Sequence, residues 1–181
     1  MKTRFVCLLR GINVGGNNII KMADLKLCFE GEGFEKVSTF IASGNVLFEA
    51  AGAAAKLTSG LEQTLSKRFE YGSRVVLRSA AEMKAVIEAA PKGFGKEPAK
   101  YKYDAFFVKE PRTAADVVAA LNPKEGVDRV WAGDGVVYTS RLIAKASQSR
   151  LGKVASSPVY QDITIRNWNT TQKLAALLSS A

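Results

Sequence analysis

The chain has 181 residues, 47% hydrophobic and 24% charged, the balance of a folded globular protein with enough apolar material for a core. Lys and Arg number 26 against 17 Asp and Glu, a net charge of +9 that favours anionic partners such as phosphate esters, nucleotides or nucleic acid. Histidine is absent, which removes His-based acid–base work, Ser-His-Asp chemistry and most zinc sites, and no apolar run approaches the roughly 18 residues of a membrane span.

Residues 4–10 read as a first, buried strand, because Phe5-Val6-Cys7-Leu8-Leu9 is an unbroken apolar run of strand length. The run is too short for a secretory signal, and neither Cys7 nor Cys28 has a partner at metal or redox spacing, so a reducing cytoplasm is the expected compartment. Next comes Arg10-Gly11-Ile12-Asn13-Val14-Gly15-Gly16-Asn17-Asn18, dense in residues that reach left-handed backbone angles cheaply. It leads into a helix over roughly 20–32, with Met22, Leu25 and Phe29 at helical spacing and Gly31 and Gly33 as its stop. Such a loop before a helix can form a concave anion site or be merely turn-rich, and it matches neither G-x-G-x-x-G nor the P-loop.

Lys36–Ala42 and Val46–Ala50 are two short β-rich runs broken by Ser43-Gly44-Asn45, a hairpin signature. Leu57, Leu61, Leu65 and Phe69 make one apolar helical stripe, Arg74–Arg78 is a strand, and Ser79-Ala80-Ala81-Glu82 is a capping box opening a helix that Pro91 ends. Residues 93–100 read as a linker between a half at 1–92 and a half at 101–181.

After the linker the order repeats. Tyr103–Val108 is a strand, Thr113 caps a helix carrying Val117, Val118 and Leu121, and Val127–Trp131 and Val136–Thr139 flank the turn Gly133-Asp134-Gly135. A short helix is expected from Ser147, then a strand at Ile163–Arg166 and a last helix with Leu174, Leu177 and Leu178. The hairpin turns at Gly44 and Asp134 are 90 positions apart, whereas the first strands, at Arg4 and Tyr103, are about 99 apart. The extra length falls on the Gly/Asn loop, where the second half has only Lys109-Glu110-Pro111-Arg112, and a lengthened connection is more often functional than accidental. The expected fold is therefore α+β: two ferredoxin-like βαββαβ(α) repeats, each an antiparallel sheet with helices on one face. In that arrangement the end of the first strand and the following hairpin share a sheet edge, so Arg10–Asn18 should neighbour Ser43-Gly44-Asn45.

Three groups of residues could carry a ligand. The first-half loops offer Arg10, Gly11, Asn13, Gly15, Gly16, Asn17, Ser43 and Asn45. Between the last strand and helix, Arg166-Asn167-Trp168-Asn169-Thr170 combines a forked cation, amides and a flat ring that suit a nucleobase or phosphate. Asn169 or Thr170 serves equally well as a helix cap, and Trp168 equally well as core. Arg150 and Lys153, three apart in Ser147–Lys153, would share a helical face and could join Arg10 and Arg166 around an anion, or be solvated surface. Tyr138 and Lys145 are candidate acid–base groups only if a pocket shifts them. No catalytic constellation, cofactor motif or metal-ligand spacing is present.

Leu9-Arg10-Gly11-Ile12-Asn13-Val14-Gly15-Gly16, Lys21-Met22 with Leu25, Ser43-Gly44-Asn45-Val46, and Thr164–Thr170 with Lys173-Leu174 together resemble the bacterial domain-of-unknown-function family 1697, nearly end to end. That resemblance implies an α+β cytoplasmic protein and supplies no catalytic residue. The expected function is binding of a phosphate-bearing small molecule or nucleotide by the 10–18 loop, the 43–45 turn and the 166–170 segment. The alternatives are an RNA or single-strand binding module and a protein-interaction module without catalysis.

Overall fold

The computed structural model describes residues 1–180 and shows an α+β protein with two four-stranded antiparallel sheets. The chain divides into two compact units, Met1–Met83 together with the C-terminal residues from Leu174, and Lys84–Lys173. The division falls inside two helices rather than at 93–100. The physical reason is Phe94: a stretch expected to offer little core buries this ring, 8% exposed, within the second unit.

In the first unit β1 (Thr3–Leu9), α1 (Met22–Gly31), β2 (Glu35–Thr39), β3 (Asn45–Ala50), α2 (Ala54–Phe69) and β4 (Val75–Ser79) follow in order, and α3 (Ala80–Glu88) begins directly after β4. The sheet runs β2-β3-β1-β4. Its register places Phe5 opposite Phe48 and Cys7 opposite both Val46 and Leu77, so every second residue of β1 faces one apolar cluster. Leu25 and Phe29 of α1 and Leu61 and Leu65 of α2 close that cluster, each fully buried side chain contributing about 1.5–3 kcal/mol. Val6 and Leu8, on the other face of β1, are also fully buried, which is why this strand reads as a continuous apolar run rather than an alternation. The expected Ser79–Glu82 capping box is present: the Ser79 N–H donates to Glu82 at 2.7 Å and the Glu82 N–H to Ser79 Oγ at 3.2 Å.

The second unit holds β5 (Tyr101–Val108), α4 (Ala114–Ala120), β6 (Asp128–Ala132), β7 (Val136–Leu142) and β8 (Ile163–Asn167), in the order β6-β7-β5-β8, and α5 (Trp168–Ser179) follows β8. Thr113 caps α4 as expected, in a reciprocal box with Asp116. The two sheets end their first strand alike. The Leu9 N–H donates to the Gly44 carbonyl at 2.8 Å, and the Val108 N–H to the Gly135 carbonyl at 3.0 Å. One residue on, Arg10 N–H donates to Arg74 and Lys109 N–H to Asp162.

The units part company between the third and fourth strands. Where the first has the 16-residue α2, the second has three 3₁₀ turns, Ile143–Gln148, Leu151–Ser156 and Pro158–Asp162, in place of the short helix expected from Ser147. Leu151, Val154 and Val159 are their buried anchors, at spacings of three and then five, which no α-helical stripe sustains. Pro158 has no N–H to give, and Ser157 caps the turn it opens by accepting from the Val159 N–H.

Candidate functional site

The Gly/Asn loop is built around side-chain amides. Five of its residues have left-handed backbones: Gly11, Asn13, Gly15, Gly16 and Asn18. Val14 to Asn17 close a miniature hairpin, with an N–H···O bond of 3.0 Å and Gly15-Gly16 at φ +59° and +78° in its turn, as a two-residue primed turn requires. Asn13 braces it. Its Nδ2 donates to the carbonyls of Ile20 (3.0 Å) and Ala42 (2.8 Å), and its Oδ1 accepts from the Ile20 N–H (2.8 Å). Asn18 Nδ2 donates to the Gly11 carbonyl, and buried Ile12 and Ile20 root the loop in the core.

The loop and the 43–45 turn are neighbours, as the shared sheet edge requires. Gly44 packs so tightly on Ile12 that a Cβ would lie 2.7 Å from Ile12 Cδ1. Asn45 is fully buried, and its Nδ2 donates to the Phe40 carbonyl (2.8 Å) and to Ser43 Oγ (3.1 Å). The amides of Asn13 and Asn45, expected to face a ligand, are thus occupied in holding backbone. Arg10 is half-buried, and Gly11, Gly15, Gly16 and Asn17 are exposed. Exposed too are three aliphatics beside residues bonded to or including Asn13: Val14 (64%), Ile19 (76%) and Ile41 (49%).

The 166–170 segment lies in the second unit. Asn167 proves to be the helix cap, accepting from the Thr170 N–H at 2.8 Å, in place of the expected Asn169 or Thr170. Arg166 is 7% exposed and donates to Thr164 Oγ1 (3.0 Å) and the Ile165 carbonyl (2.9 Å). Trp168 is core, edge-on to Phe94 with ring centres 4.9 Å apart, and Phe94 also meets Tyr103, Trp131 and Tyr138. Gly95 lies so close that a Cβ would come within 2.7 Å of Trp168 Nε1. Tyr138 is no acid–base group: its hydroxyl donates to the Val86 carbonyl at 2.6 Å, and burial pushes it up to about 12. Lys145 is exposed.

Arg150 and Lys153 lie three apart on one 3₁₀ turn, where the Lys153 N–H donates to the Arg150 carbonyl at 3.0 Å. The Arg150 N–H donates to Asp128 Oδ2 at 2.8 Å, its guanidinium reaches Asn122 Oδ1 at 3.5 Å, and Lys153 is exposed. Asp128 takes two further bonds, from Ser149 Oγ (2.6 Å) and the Lys124 N–H (2.9 Å). Burial alone would raise its carboxyl, but these three donors outweigh it and hold it below its ordinary value.

The second unit also contains two clefts. One, of about 220 Å³, lies between the sheet, which supplies Lys102, Asp104, Thr139 and Arg141, and the 3₁₀ turns, which supply Leu151 and Tyr160. The other, of about 380 Å³, takes Tyr101, Tyr103, Asn167, Trp168 and Asn169 in its wall. Lys102 and Arg141 line both, facing each other in register across β5 and β7. Arg141 Nε is buried with no hydrogen-bond partner among the described residues, a condition shared by Arg4 Nη1 in the first unit. Asp104 pairs with Lys102 at 3.3 Å, and burial pushes its carboxyl above its ordinary value while Lys102 and Arg141 pull it back. Lys102, Asp104 and Arg141 escape a motif search, because strand residues form a site by alternation and pairing. The available signal is charge at 102 and 104 alternating with tyrosine at 101 and 103. Among the described residues no group of Cys, Asp or Glu could hold a metal ion, and no helix is long and apolar enough to cross a membrane.

Residues 1–138 match the family model described as "Protein of unknown function (DUF1697)". The chain belongs to this family. The Thr164–Thr170 motif lies beyond the matched stretch, while a solved structure aligns with nearly the whole chain. The conserved bacterial protein SP0830 from Streptococcus pneumoniae is 28% identical with a TM-score of 0.86, and the alignment covers 99% of this chain and 100% of that one. No functionally curated protein matches.

Proposed function

We propose that this DUF1697 protein binds a phosphate-bearing small molecule in the second unit, where the two clefts meet at Lys102 and Arg141. The observation that carries the reading is the buried Arg141 Nε with no partner among the described residues. An unmade hydrogen bond at a buried donor costs about 1–3 kcal/mol, more when the group is charged, and a turn of the Arg141 side chain toward an anionic oxygen in the cleft it lines would recover that bond. Tyr101 and Tyr103 line the larger cleft, which falls in the size range of small-molecule sites. Of the residues expected at a site, Asn167, Trp168 and Asn169 belong to this wall. The first-half loop is then a braced scaffold, and each unit is read as a ferredoxin-like repeat, the second with 3₁₀ turns in place of its second helix, supported by the matching strand orders and the paired turn-glycine bonds.

The test is a thermal-shift titration with inorganic phosphate and adenosine monophosphate at low and moderate salt. Ligand at about a hundred times its dissociation constant adds roughly 2.7 kcal/mol, several degrees for a protein of this size. The expected result is a salt-tolerant shift that Arg141→Ala abolishes. A shift equal in Arg141→Ala would overturn the reading, and a shift from RNA alone that fades steeply with salt would favour nucleic-acid binding.

A second reading, protein docking by the first unit, is favoured by the exposed Val14 and Ile19 on the Gly/Asn loop and Ile41 on the neighbouring turn, which Asn13 ties together. Its test is a pull-down with wild type and Ile19→Asp. A partner lost with the variant supports it, and identical profiles overturn it.

A further inference from the structure

Asp104 is the feature of the cleft that simple anion binding leaves unexplained. It shares one face of β5 with Lys102, and on the neighbouring strand Arg141 is its diagonal neighbour, because Lys102 pairs with Arg141 and Asp104 with Thr139. All three line the same cleft of about 220 Å³. An oxyanion lying against the two cations therefore also meets a carboxylate. Two anions in contact repel unless a proton lies between them. With one, the contact becomes a short, charge-assisted hydrogen bond.

We infer that this cleft selects oxyanions that share a proton with Asp104, terminal phosphate monoesters above all, and rejects fully deprotonated ones such as sulfate and phosphodiesters. The inference rests on the proposed anion site and names its ligand class. A phosphate monoester has its second proton near pH 6, so around neutrality it can bring the proton or accept one. Sulfate has the same shape and charge but keeps no proton at that pH, and a phosphodiester, including every internal phosphate of RNA, has none to give. The selection operates where the ligand brings the proton: P–OH then donates to the Asp104 carboxylate, the form that Lys102 and Arg141 favour. A protonated Asp104 would donate to sulfate as readily as to phosphate, so the preference is expected to fade as pH drops far enough to protonate it. The charged or titratable groups facing Asp104 are Lys102 on its own strand, Arg141 on β7 and Tyr160 on the turn above, with Asp128 opposite Arg141 on β6. None of the first three carries a carboxylate, so none substitutes for Asp104 as acceptor.

The experiment is calorimetric titration of the full chain with two matched pairs, inorganic phosphate against sulfate and adenosine monophosphate against its 3′,5′-cyclic diester, on wild type and Asp104→Asn. The expected result is wild-type binding of phosphate and the monophosphate about 10- to 100-fold tighter than of sulfate and the cyclic diester, the worth of one hydrogen bond to a charged group. Asp104→Asn is expected to bring each pair to within a few-fold, chiefly by admitting sulfate. Wild-type protein binding all four alike overturns the inference and leaves the anion site standing. A preference that persists in Asp104→Asn also overturns it. If none of the four binds wild type, the anion site itself fails and the inference with it. The wild-type comparison needs no variant, so it stands even if Asp104→Asn folds poorly.

Discussion

Asn13 ties its own loop to Ile20 and to the neighbouring turn at Ala42, and replacing it with alanine strands the Ile20 N–H together with the Ile20 and Ala42 carbonyls. Asn13→Ala should cost roughly 2–3 kcal/mol, read as a lower urea midpoint at unchanged slope. Two glycines separate conformation from packing. Gly16→Ala has open space for its Cβ and meets only the cost of φ +78°, about 1 kcal/mol, whereas Gly44→Ala adds a collision with Ile12 and should cost at least twice as much. The two aspartates of the second unit should respond oppositely to pH. Asp128 is held below its ordinary value, so its stabilisation is present above the unfolded carboxylate range and lost as pH falls through the folded value. Asp128→Asn, which turns an amide NH₂ toward donors, should be destabilised at pH 7, with the gap closing in acid. Asp104 is raised, so its contribution is greatest below the unfolded value and is lost as pH rises through the folded one. Asp104→Asn should therefore be no less stable than wild type at pH 7, with wild type gaining on it as pH falls. Thermal midpoints of both variants from pH 3 to 7 check the signs.

At the scale of elements, what sequence made legible was whatever local chemistry dictates. The capping boxes at Ser79 and Thr113 formed because a hydroxyl and a carboxylate three residues apart can satisfy each other's orphan N–H groups. Thr113→Ala should cost about 1 kcal/mol in an equilibrium unfolding measurement. The contact between the Gly/Asn loop and the 43–45 turn was legible because strand order fixes which ends share an edge. The roles inside those loops were not, since an exposed amide and one spent on backbone look the same in a string of letters. Asn13, Asn45 and Asn167 all belong to the second kind. Phe94 was hidden by its glycine- and proline-rich neighbours, which say "linker" although one buried ring anchors them. Gly95 reads as a loop residue for the same reason, yet the nearness of Trp168 accounts for it. The cleft residues Lys102, Asp104 and Arg141 come from two strands, and their meeting depends on a register that no single segment states.

At the scale of the molecule, two sheets of the same order carry different covers. The first unit closes its apolar face with α1 and a 16-residue α2, and the second with α4 and a chain of single turns between Ile143 and Asp162. A 3₁₀ turn closes over three residues and seldom continues, so its bonds do not reinforce one another as those of a long helix do. Three separate stretches of 6, 6 and 5 residues result, bounded by bonds such as Ser149 N–H to the Ala146 carbonyl and Ser157 N–H to the Val154 carbonyl, a row of short latches. In amide exchange against deuterated water, residues 143–162 should therefore label much sooner than the middle of α2, each latch opening by itself while the strands beneath stay protected. Those same turns form the roof over Asp104 and Arg141, so the floor of the cleft would be shaped permanently and its roof remade from moment to moment.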